Sequence, residues 1–143
     1  MPIVLDDSAW PILRSSVHPA TIEAFDAFAV WYTAAMLRAQ REGVFLYMLS
    51  DARGEPPPNA VVRHIAAWQA TLSTGQLERC ALNVVVIDNV LVRRVLTAIN
   101  WFKPPPTPQI VVANHRQGFQ AMVEDIGRRG LPPPPRPAWV DLD

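Results

Sequence analysis

Residues 44–49 read Val-Phe-Leu-Tyr-Met-Leu, an uninterrupted apolar run. If the run forms a strand, neither of its two faces carries a charge. A strand of this kind needs cover on both faces, as strands have in a parallel sheet flanked by helices. The run therefore predicts the central strand of an α/β sheet. Ser50 and Asp51 follow directly, so the carboxyl end of this strand is predicted to be polar.

The segment before this run predicts two short strands and a long helix. Residues 3–5 and 10–15 are extended candidates around the polar residues 6–8, and they are expected to form an antiparallel pair. From Pro19 onward, apolar residues recur every three or four positions until Gly43, a residue type that often ends helices. A hairpin followed by one long helix is the expected start of the domain.

Further strand and helix units follow the run. Strands are predicted at 81–87 and 110–113, and a helix is predicted after each buried strand. The helix after the central strand is expected to begin with Asn59 as its cap and to end at Gly75. The inward positions of this helix and the next are Val61, Val62, Ile65, Trp68 and Leu72, and Val92, Val95, Leu96, Ile99 and Phe102, respectively. The order β-β-α-β-α-β-α-β-α predicts a single α/β domain with a mixed, mostly parallel sheet and packing helices.

The last residues differ in composition from the rest. Residues 1–130 are expected to form the α/β domain, and residues 131–143 a proline-rich tail. Four consecutive prolines at 132–135 favour polyproline II over helix. Because the tail also carries Trp139, the sequence leaves open whether it is free or docked on the domain.

The charge balance argues against nucleic acid as a partner. Lys and Arg together number 13 and Asp and Glu also number 13, whereas phosphate binding needs an excess of clustered cations. The single cysteine excludes an internal disulfide and fits a reducing compartment. Acidic residues at 6–7 predict no signal peptide, and no apolar run reaches the length of a membrane span. A cytoplasmic protein is the expectation.

Motifs of common enzyme classes are missing from the sequence. There is no GxGxxG or Walker loop and no GxSxG elbow. Cys80 beside a buried strand is interpreted as a structural thiol, and His64 and His115 are expected to be solvated or to cap helices rather than to bind a metal. No catalytic residue, metal or cofactor is predicted, so the chain is not expected to be an enzyme. A catalytic group built from Asp51, His64 and Asp88 is the least favoured alternative.

Polar residues follow each of the buried strands. They are Asp51, Asp88 with Asn89, and Asn114. The carboxyl ends of parallel strands share one edge, where open α/β sheets bind their ligands. The same residue types cap helices, so capping is the competing interpretation.

Several cations and aromatic residues are predicted near this edge. Arg53, Arg63, Arg93 and Arg94 would suit a carboxylate, a phosphate or an acidic partner, and solvation is the competing interpretation. Trp101 and Phe102 cannot share one helix face, so one of the two is a candidate exposed contact.

The order of elements resembles the STAS family, the anti-sigma-factor antagonist domains, with its SpoIIAA-like and STAS/Sec14-like bacterial relatives. The resemblance covers residues 3–129. It is carried by VFLYMLSDARG at 44–54, which looks like the family's central strand and turn, and by ALNVVVIDNVLVRRVLTAINWF at 81–102, which looks like its next strand and helix. The resemblance implies a cytosolic, non-enzymatic regulatory or protein-interaction module.

In that family the partner meets the loop after the central strand and the start of the next helix, here residues 51–63. The candidate partner-binding residues are Asp51, Arg53, Asn59, Arg63, Arg93 and Arg94. Antagonists of the family carry a phosphorylatable Ser or Thr at the start of that helix, but residues 52–70 contain neither. The fold and the interaction role are therefore expected here without the phosphoserine switch.

A second class of function stays open at the same edge. The chain is alternatively a small-molecule or lipid-binding domain with an apolar pocket at the carboxyl ends of the strands. Phe25, Tyr32, Trp68 and Trp101 supply aromatic bulk for such a pocket, and core packing is the competing interpretation. A protein partner is expected, while a homodimer and a small ligand remain open.

Overall fold

The strands of this protein form one mixed sheet. The computed structural model describes residues 3–102 and 105–142, with the backbone alone over 99–102. In the described residues, five strands lie side by side in the order β1-β2-β3-β4-β5. Their bounds are β1 Ile3–Ala9, β2 Ile12–Val17, β3 Leu46–Asp51, β4 Cys80–Val86 and β5 Gln109–Val112.

Helices connect the strands and follow the last one. Their bounds are α1 Ile22–Glu42, α2 Asn59–Ala70, α3 Thr74–Leu77, α4 Val90–Phe102 and α5 His115–Arg128, and a 3₁₀ helix covers Ala138–Asp141. No helix of the described ranges combines the length and the apolar character required to cross a membrane.

The predicted α/β class and order of elements are confirmed. Strand β1 pairs with β2 antiparallel, and every other neighbouring pair is parallel. Strand β3 lies in the middle of the sheet, as its apolar run predicts. The helix α3 is an addition that the sequence pattern did not indicate.

Local signals explain where α1 begins and ends. The side chain of Thr21 accepts a hydrogen bond from the backbone of Ala24, which satisfies one of the free amides at the helix start. Gly43 adopts a left-handed conformation, with φ of 68°, and closes the C-terminus. The predicted span from Pro19 to Gly43 is therefore confirmed to within a few residues.

The helix after β3 ends earlier than expected. It stops at Ala70 with Thr71 as its C-cap, so the prediction that Gly75 ends it is wrong. Gly75 instead lies in α3, which begins with a capping box between Ser73 and Gln76. That reciprocal pair of hydrogen bonds starts a new helix where the sequence suggested only a stop.

Both faces of the sheet are covered, which explains the uninterrupted apolar run of β3. Met48 points to the face packed by α1, together with Leu13, Tyr32 and Met36. Tyr47 and Leu49 point to the opposite face, where Phe119, Met122 and Ile126 of α5 pack. The alternation of strand side chains thus divides the core into two layers around β3.

Helix α5 approaches the sheet closely at Gly118. A methyl group added there would lie 2.8 Å from Leu49 Cδ1 and 2.9 Å from Val84 Cγ1. Since carbon atoms pack at about 3.5–4.0 Å, only glycine fits without movement of these buried side chains.

The proline-rich tail docks on the face covered by α5. Trp139 and Val140 are 4% and 1% exposed and belong to the same apolar cluster as Phe119. The Trp139 ring meets the Phe119 ring edge-on, with centroids 6.0 Å apart. Of the two alternatives for the tail, the structure has the docked one.

The close approach at Gly118 gives a matched pair of substitutions within α5. We expect Gly118→Ala to lower the free energy of unfolding by about 1–3 kcal/mol, because the added methyl group forces buried side chains to move. Gly127→Ala meets nothing within 4 Å, so it is expected to raise stability by up to about 1 kcal/mol through helix propensity. Urea denaturation of both variants measures the difference, and equal effects would contradict the close packing.

Candidate functional site

The carboxyl ends of four strands lie along one edge of the sheet. Strands β2 to β5 are parallel neighbours, so their ends share a direction. Asp51 ends β3, and Asn89 and Asn114 follow β4 and β5. We call this the carboxyl edge, and it holds the polar residues that the sequence analysis selected.

Two of these residues cap helices. The Oδ1 atoms of Asn89 and Asn114 accept hydrogen bonds from the backbone N–H groups three residues on, at 3.1 Å and 2.9 Å. Capping is therefore confirmed for both. The prediction that Asn59 caps α2 is wrong, because Pro58 occupies the cap position and Asn59 is the first helical residue. Asn59 is exposed.

Asp51 is held by Arg53 rather than used as a cap. Arg53 Nε lies 2.9 Å from Asp51 Oδ1 and its Nη2 lies 2.8 Å from Oδ2, a bidentate arrangement. The backbone N–H of Arg53 donates to Oδ1 at 3.2 Å as well. The Asp51 side chain thus stabilises the turn after β3 by binding both the backbone and the side chain of Arg53.

Two buried side chains from distant parts of the chain join this pair. Arg14 Nη2 and His115 Nε2 each lie 3.6 Å from Asp51 Oδ2. Arg14 Nε also donates to His115 Nε2 at 3.1 Å. Because an arginine N–H can only donate, this ring nitrogen carries no proton in that hydrogen bond. The four residues link β2, β3 and the start of α5.

His115 does not lie where the sequence analysis expected it. It was expected to be solvated or to cap a helix, but it is fully buried, and Asn114 is the cap. The reason is the docked tail: the Trp139 ring covers His115, with centroids 6.0 Å apart. Arg14 was missed altogether, although a charged residue inside the strand predicted at 10–15 was a usable signal.

The electrostatics of Asp51 favour its charged form. Burial opposes ionisation, but the hydrogen bonds and positive charge of Arg53 outweigh burial and hold the pKa of the Asp51 carboxyl below its ordinary value. A carboxylate bound on several sides in this way has little capacity to accept a proton. The network therefore fits a role in holding the carboxyl edge together.

The remaining predicted arginines of the edge differ in whether they already bind other groups of the protein. Arg93 Nη1 donates to the carbonyl oxygens of Ile87 and Asp88 at 2.8 Å and 2.9 Å, so Arg93 holds the end of β4. Arg63 and Arg94 are exposed, and within the described ranges neither forms an ion pair. Of the predicted cations, these two are free to meet a partner.

Exposed apolar side chains lie beside these two arginines in the sequence. Helix α4 exposes Val90, Leu91, Val92 and Val95, and α2 exposes Val62. Leu91 is the most open of them, at 70% exposed. The expectation that Val62, Val92 and Val95 face inward is wrong, because all three are exposed. Among the described side chains, α2 buries Val61 instead, and α4 contacts β5. We call these five residues the apolar surface.

A cavity of about 210 Å³ opens between β2, β3 and α2. Ser15 and Ser50 lie at its sheet side, with hydroxyl oxygens 3.5 Å apart. Phe25, Phe28 and Val61 form apolar walls. We call it the serine cavity, and it lies at the edge where the sequence analysis placed the alternative pocket.

The aromatic residues proposed for that pocket have different positions. Phe25 lines the serine cavity. Trp68 packs edge-on against Phe25, with centroids 5.5 Å apart, and Tyr32 stacks on Phe28 at 5.5 Å. Tyr32 and Trp68 thus form a second layer behind the cavity wall. The side chains of Trp101 and Phe102 lie outside the described residues.

The other reactive groups are engaged elsewhere. Cys80 is buried and accepts a hydrogen bond from the hydroxyl of Tyr32 at 3.4 Å, and burial raises the pKa of its thiol. His64 Nε2 lies 2.6 Å from Asp26 Oδ1, so His64 pairs with Asp26 rather than with Asp51 or Asp88. Over residues 3–102 and 105–142, no three His, Cys, Asp or Glu side chains are grouped to hold a metal.

Comparisons with family models, curated proteins and solved structures give no match to this chain. The fold itself is an α/β domain with a five-stranded mixed sheet.

The lowered pKa of Asp51 predicts that the free energy of unfolding depends on pH in the acid range. Because its pKa is lowered in the folded protein, its contribution is present above the unfolded pKa and is lost as the pH falls through the folded value. Asp51→Asn is expected to destabilise the protein by about 2 kcal/mol near neutral pH. The loss should shrink as the pH falls through the folded pKa, because the wild-type carboxyl then also becomes neutral.

Chemical denaturation at a series of pH values measures this change. Asp88→Asn is the control, since it removes an exposed carboxylate that forms no ion pair within the described ranges. A constant difference between wild type and Asp51→Asn across the acid range would contradict the assigned role of the charge.

Proposed function

We propose that this chain is a non-enzymatic regulatory or protein-interaction module of STAS-like type, which binds a protein partner at its carboxyl edge. The observation that carries the proposal is the apolar surface. Leu91, the most exposed of its five residues, is 70% exposed. Four of its five residues lie within the first two turns of α4, and large exposed apolar patches mark sites of protein interaction. The STAS-like order of strands and helices supports the same role.

The proposed partner carries negative charge around an apolar contact. Arg63 follows Val62 on α2, and Arg94 lies between Val92 and Val95 on α4. Interfaces of this kind combine an apolar centre with arginine and a polar rim. The two exposed guanidinium groups would steer and orient an acidic partner.

The six predicted partner-binding residues divide into two groups in this proposal. Asn59, Arg63 and Arg94 are exposed and would contact the partner directly. Asp51, Arg53 and Arg93 are engaged in hydrogen bonds that hold the loops after β3 and β4. This second group would act by keeping the starts of α2 and α4 in place.

Regulation in the proposed module does not use a phosphoserine at α2. Residues 52–70 contain neither Ser nor Thr, so a kinase has no hydroxyl to modify there. Binding would then depend on the amount of partner or on a ligand. The serine cavity, which lies between β3 and α2, is the nearest place for such a ligand.

Charge reversal tests the proposed surface. Native mass spectrometry of the protein isolated from its own host should reveal a bound protein. Arg63→Glu is expected to weaken its capture about tenfold or more, and Leu91→Asp to a similar extent, because one repels an acidic surface and the other disrupts an apolar contact. Thermal denaturation should be little changed, since both side chains are exposed.

Arg41→Glu provides the matched control, because Arg41 is exposed in the last turn of α1, away from the carboxyl edge. A partner retained by Arg63→Glu and Leu91→Asp would place the contact elsewhere. A mass of exactly two chains would identify the partner as a second copy.

The serine cavity favours a second candidate function, the binding of a small molecule or lipid. Its apolar walls and paired hydroxyl groups suit a compact ligand with an apolar body and one polar group. At about 210 Å³ it is smaller than typical drug-sized pockets. The small volume limits the ligand to a few non-hydrogen atoms unless the cavity walls move.

Substitutions at two adjacent valines test whether a small molecule binds in the serine cavity. Val61→Trp fills the serine cavity, whereas Val62→Trp adds the same bulk to an exposed position outside it. A small-mass adduct in native mass spectrometry should disappear in Val61→Trp and persist in Val62→Trp. An adduct that both variants retain would exclude the serine cavity as its site.

A further inference from the structure

The polar lining of the serine cavity consists of hydroxyl, acidic and imidazole side chains. The residues that supply it are Ser15, His18, Ser50, Asp51 and Glu55. Among the described residues no Lys or Arg lines the cavity, and His18 is cationic only when protonated. Carboxylates and phosphates are bound in proteins chiefly by arginine and lysine. The lining therefore disfavours an anionic ligand.

The two serine hydroxyl groups leave hydrogen-bonding capacity unused. Ser15 is only 3% exposed, and its hydroxyl oxygen is 3.5 Å from that of Ser50. An ordinary O–H···O hydrogen bond is about 2.7–2.8 Å long, and in the part of the chain that the structure describes neither hydroxyl has a closer partner. A hydroxyl that is buried without a good partner costs free energy. A ligand that donates hydrogen bonds to both oxygens would remove that cost.

The apolar walls of the cavity include two aromatic rings. Phe25 and Phe28 both line it, and their ring centroids are 5.6 Å apart. The face of an aromatic ring carries partial negative charge and attracts cations. These walls therefore accept an apolar body and also favour a positive charge beside it.

Glu55 gives the cavity lining a carboxylate that has no partner. It is exposed, and over residues 3–102 and 105–142 it forms no ion pair. Its loop lies close to another lining residue, since a Cβ on Gly54 would lie 3.8 Å from His18 Cε1. The charge of Asp51 is in contrast already bound by Arg53. Glu55 is therefore the lining residue whose negative charge is left for a ligand.

We propose that the serine cavity binds a small primary amine in its protonated form. The apolar body of the amine lies against Phe25 and Phe28, its ammonium group faces the serine hydroxyl oxygens, and Glu55 supplies the opposite charge. An ammonium group has three donors and no acceptor, which suits a lining of hydroxyl and carboxylate oxygens. This inference rests on the second candidate function, ligand binding in the serine cavity, and names the chemical class of that ligand.

Three probes with the same ring separate the contribution of charge from that of shape. A cavity of about 150 Å³ holds a benzene ring, so one of about 210 Å³ suits a ring with a one-carbon arm. Benzylamine is cationic at neutral pH, benzyl alcohol is uncharged and benzoate is anionic. In isothermal titration of the full chain, benzylamine should bind at one site about tenfold or more tightly than either of the others, because hydrogen bonds to charged groups are the stronger ones.

A pair of substitutions tests the role of Glu55. Glu55→Gln should weaken benzylamine about two- to fivefold, as expected for an exposed ion pair, and leave benzyl alcohol unchanged. Glu124→Gln is the matched control, because Glu124 is an exposed carboxylate on α5, which packs on the opposite face of the sheet. It should change neither probe. A thermal melt checks that both variants are folded.

The position of the amine is measured in the wild-type chain. In an NMR titration, benzylamine should shift the amide signals of residues 15–18, 50–57 and 61–65. Val61→Trp should abolish its binding, and Val62→Trp should retain it.

Four results would overturn the proposal. They are the absence of saturable benzylamine binding, binding of benzoate or benzyl alcohol as tight as that of benzylamine, amide shifts that cluster elsewhere, and equal weakening of benzylamine and benzyl alcohol by Glu55→Gln. Benzoate or benzyl alcohol that binds tightly and is lost in Val61→Trp would reject the amine but keep the serine cavity as a ligand site. Failure of all three probes to bind would reject both. None of these results bears on the protein partner proposed for the carboxyl edge.

Discussion

The burial of β3 on both faces is the constraint on which the rest of the structure depends. Its side chains alternate between the α1 layer and the α5 layer, so neither helix can be removed without exposing an apolar face. The close approach of α5 at Gly118 follows from the same demand, because a glycine lets the helix backbone lie directly on Leu49 and Val84. The carboxyl edge and the serine cavity both lie at one end of this covered strand.

The order of strands and helices could be predicted from the sequence because each element has its own hydrophobic period and clear breakers. Gly43 and the apolar run at 44–49 are examples in which local signals and tertiary structure agree. Prediction failed where distant segments meet. His115 packs against Trp139 of the tail, and Val92 and Val95 lie on α4 positions that stay exposed. Neither is encoded in the spacing of neighbouring residues.

The structure places the predicted site residues along one edge of the sheet, but only some of them are exposed. Asp51 and Arg53 do meet at the carboxyl edge, but they bind each other, and Arg93 binds backbone carbonyls. Local sequence cannot distinguish an arginine that faces a partner from one that satisfies a nearby acceptor. The two ends of the sheet also differ in kind. The carboxyl edge joins charges to exposed apolar residues, whereas an apolar cavity of about 320 Å³ lies between the amino ends of β2 and β3 and the proline-rich tail.

The docked tail has a consequence for how the chain is assembled during synthesis. Each strand pairs beside the strand that precedes it in sequence, so the sheet can grow in the order in which its strands emerge from the ribosome. The α5 layer cannot be completed in the same way, because Trp139 and Val140 belong to it and are synthesised after α5. Until they emerge, Phe119 and His115 lack their cover. The packing of the α5 layer is therefore completed only by the last segment of the chain to be synthesised.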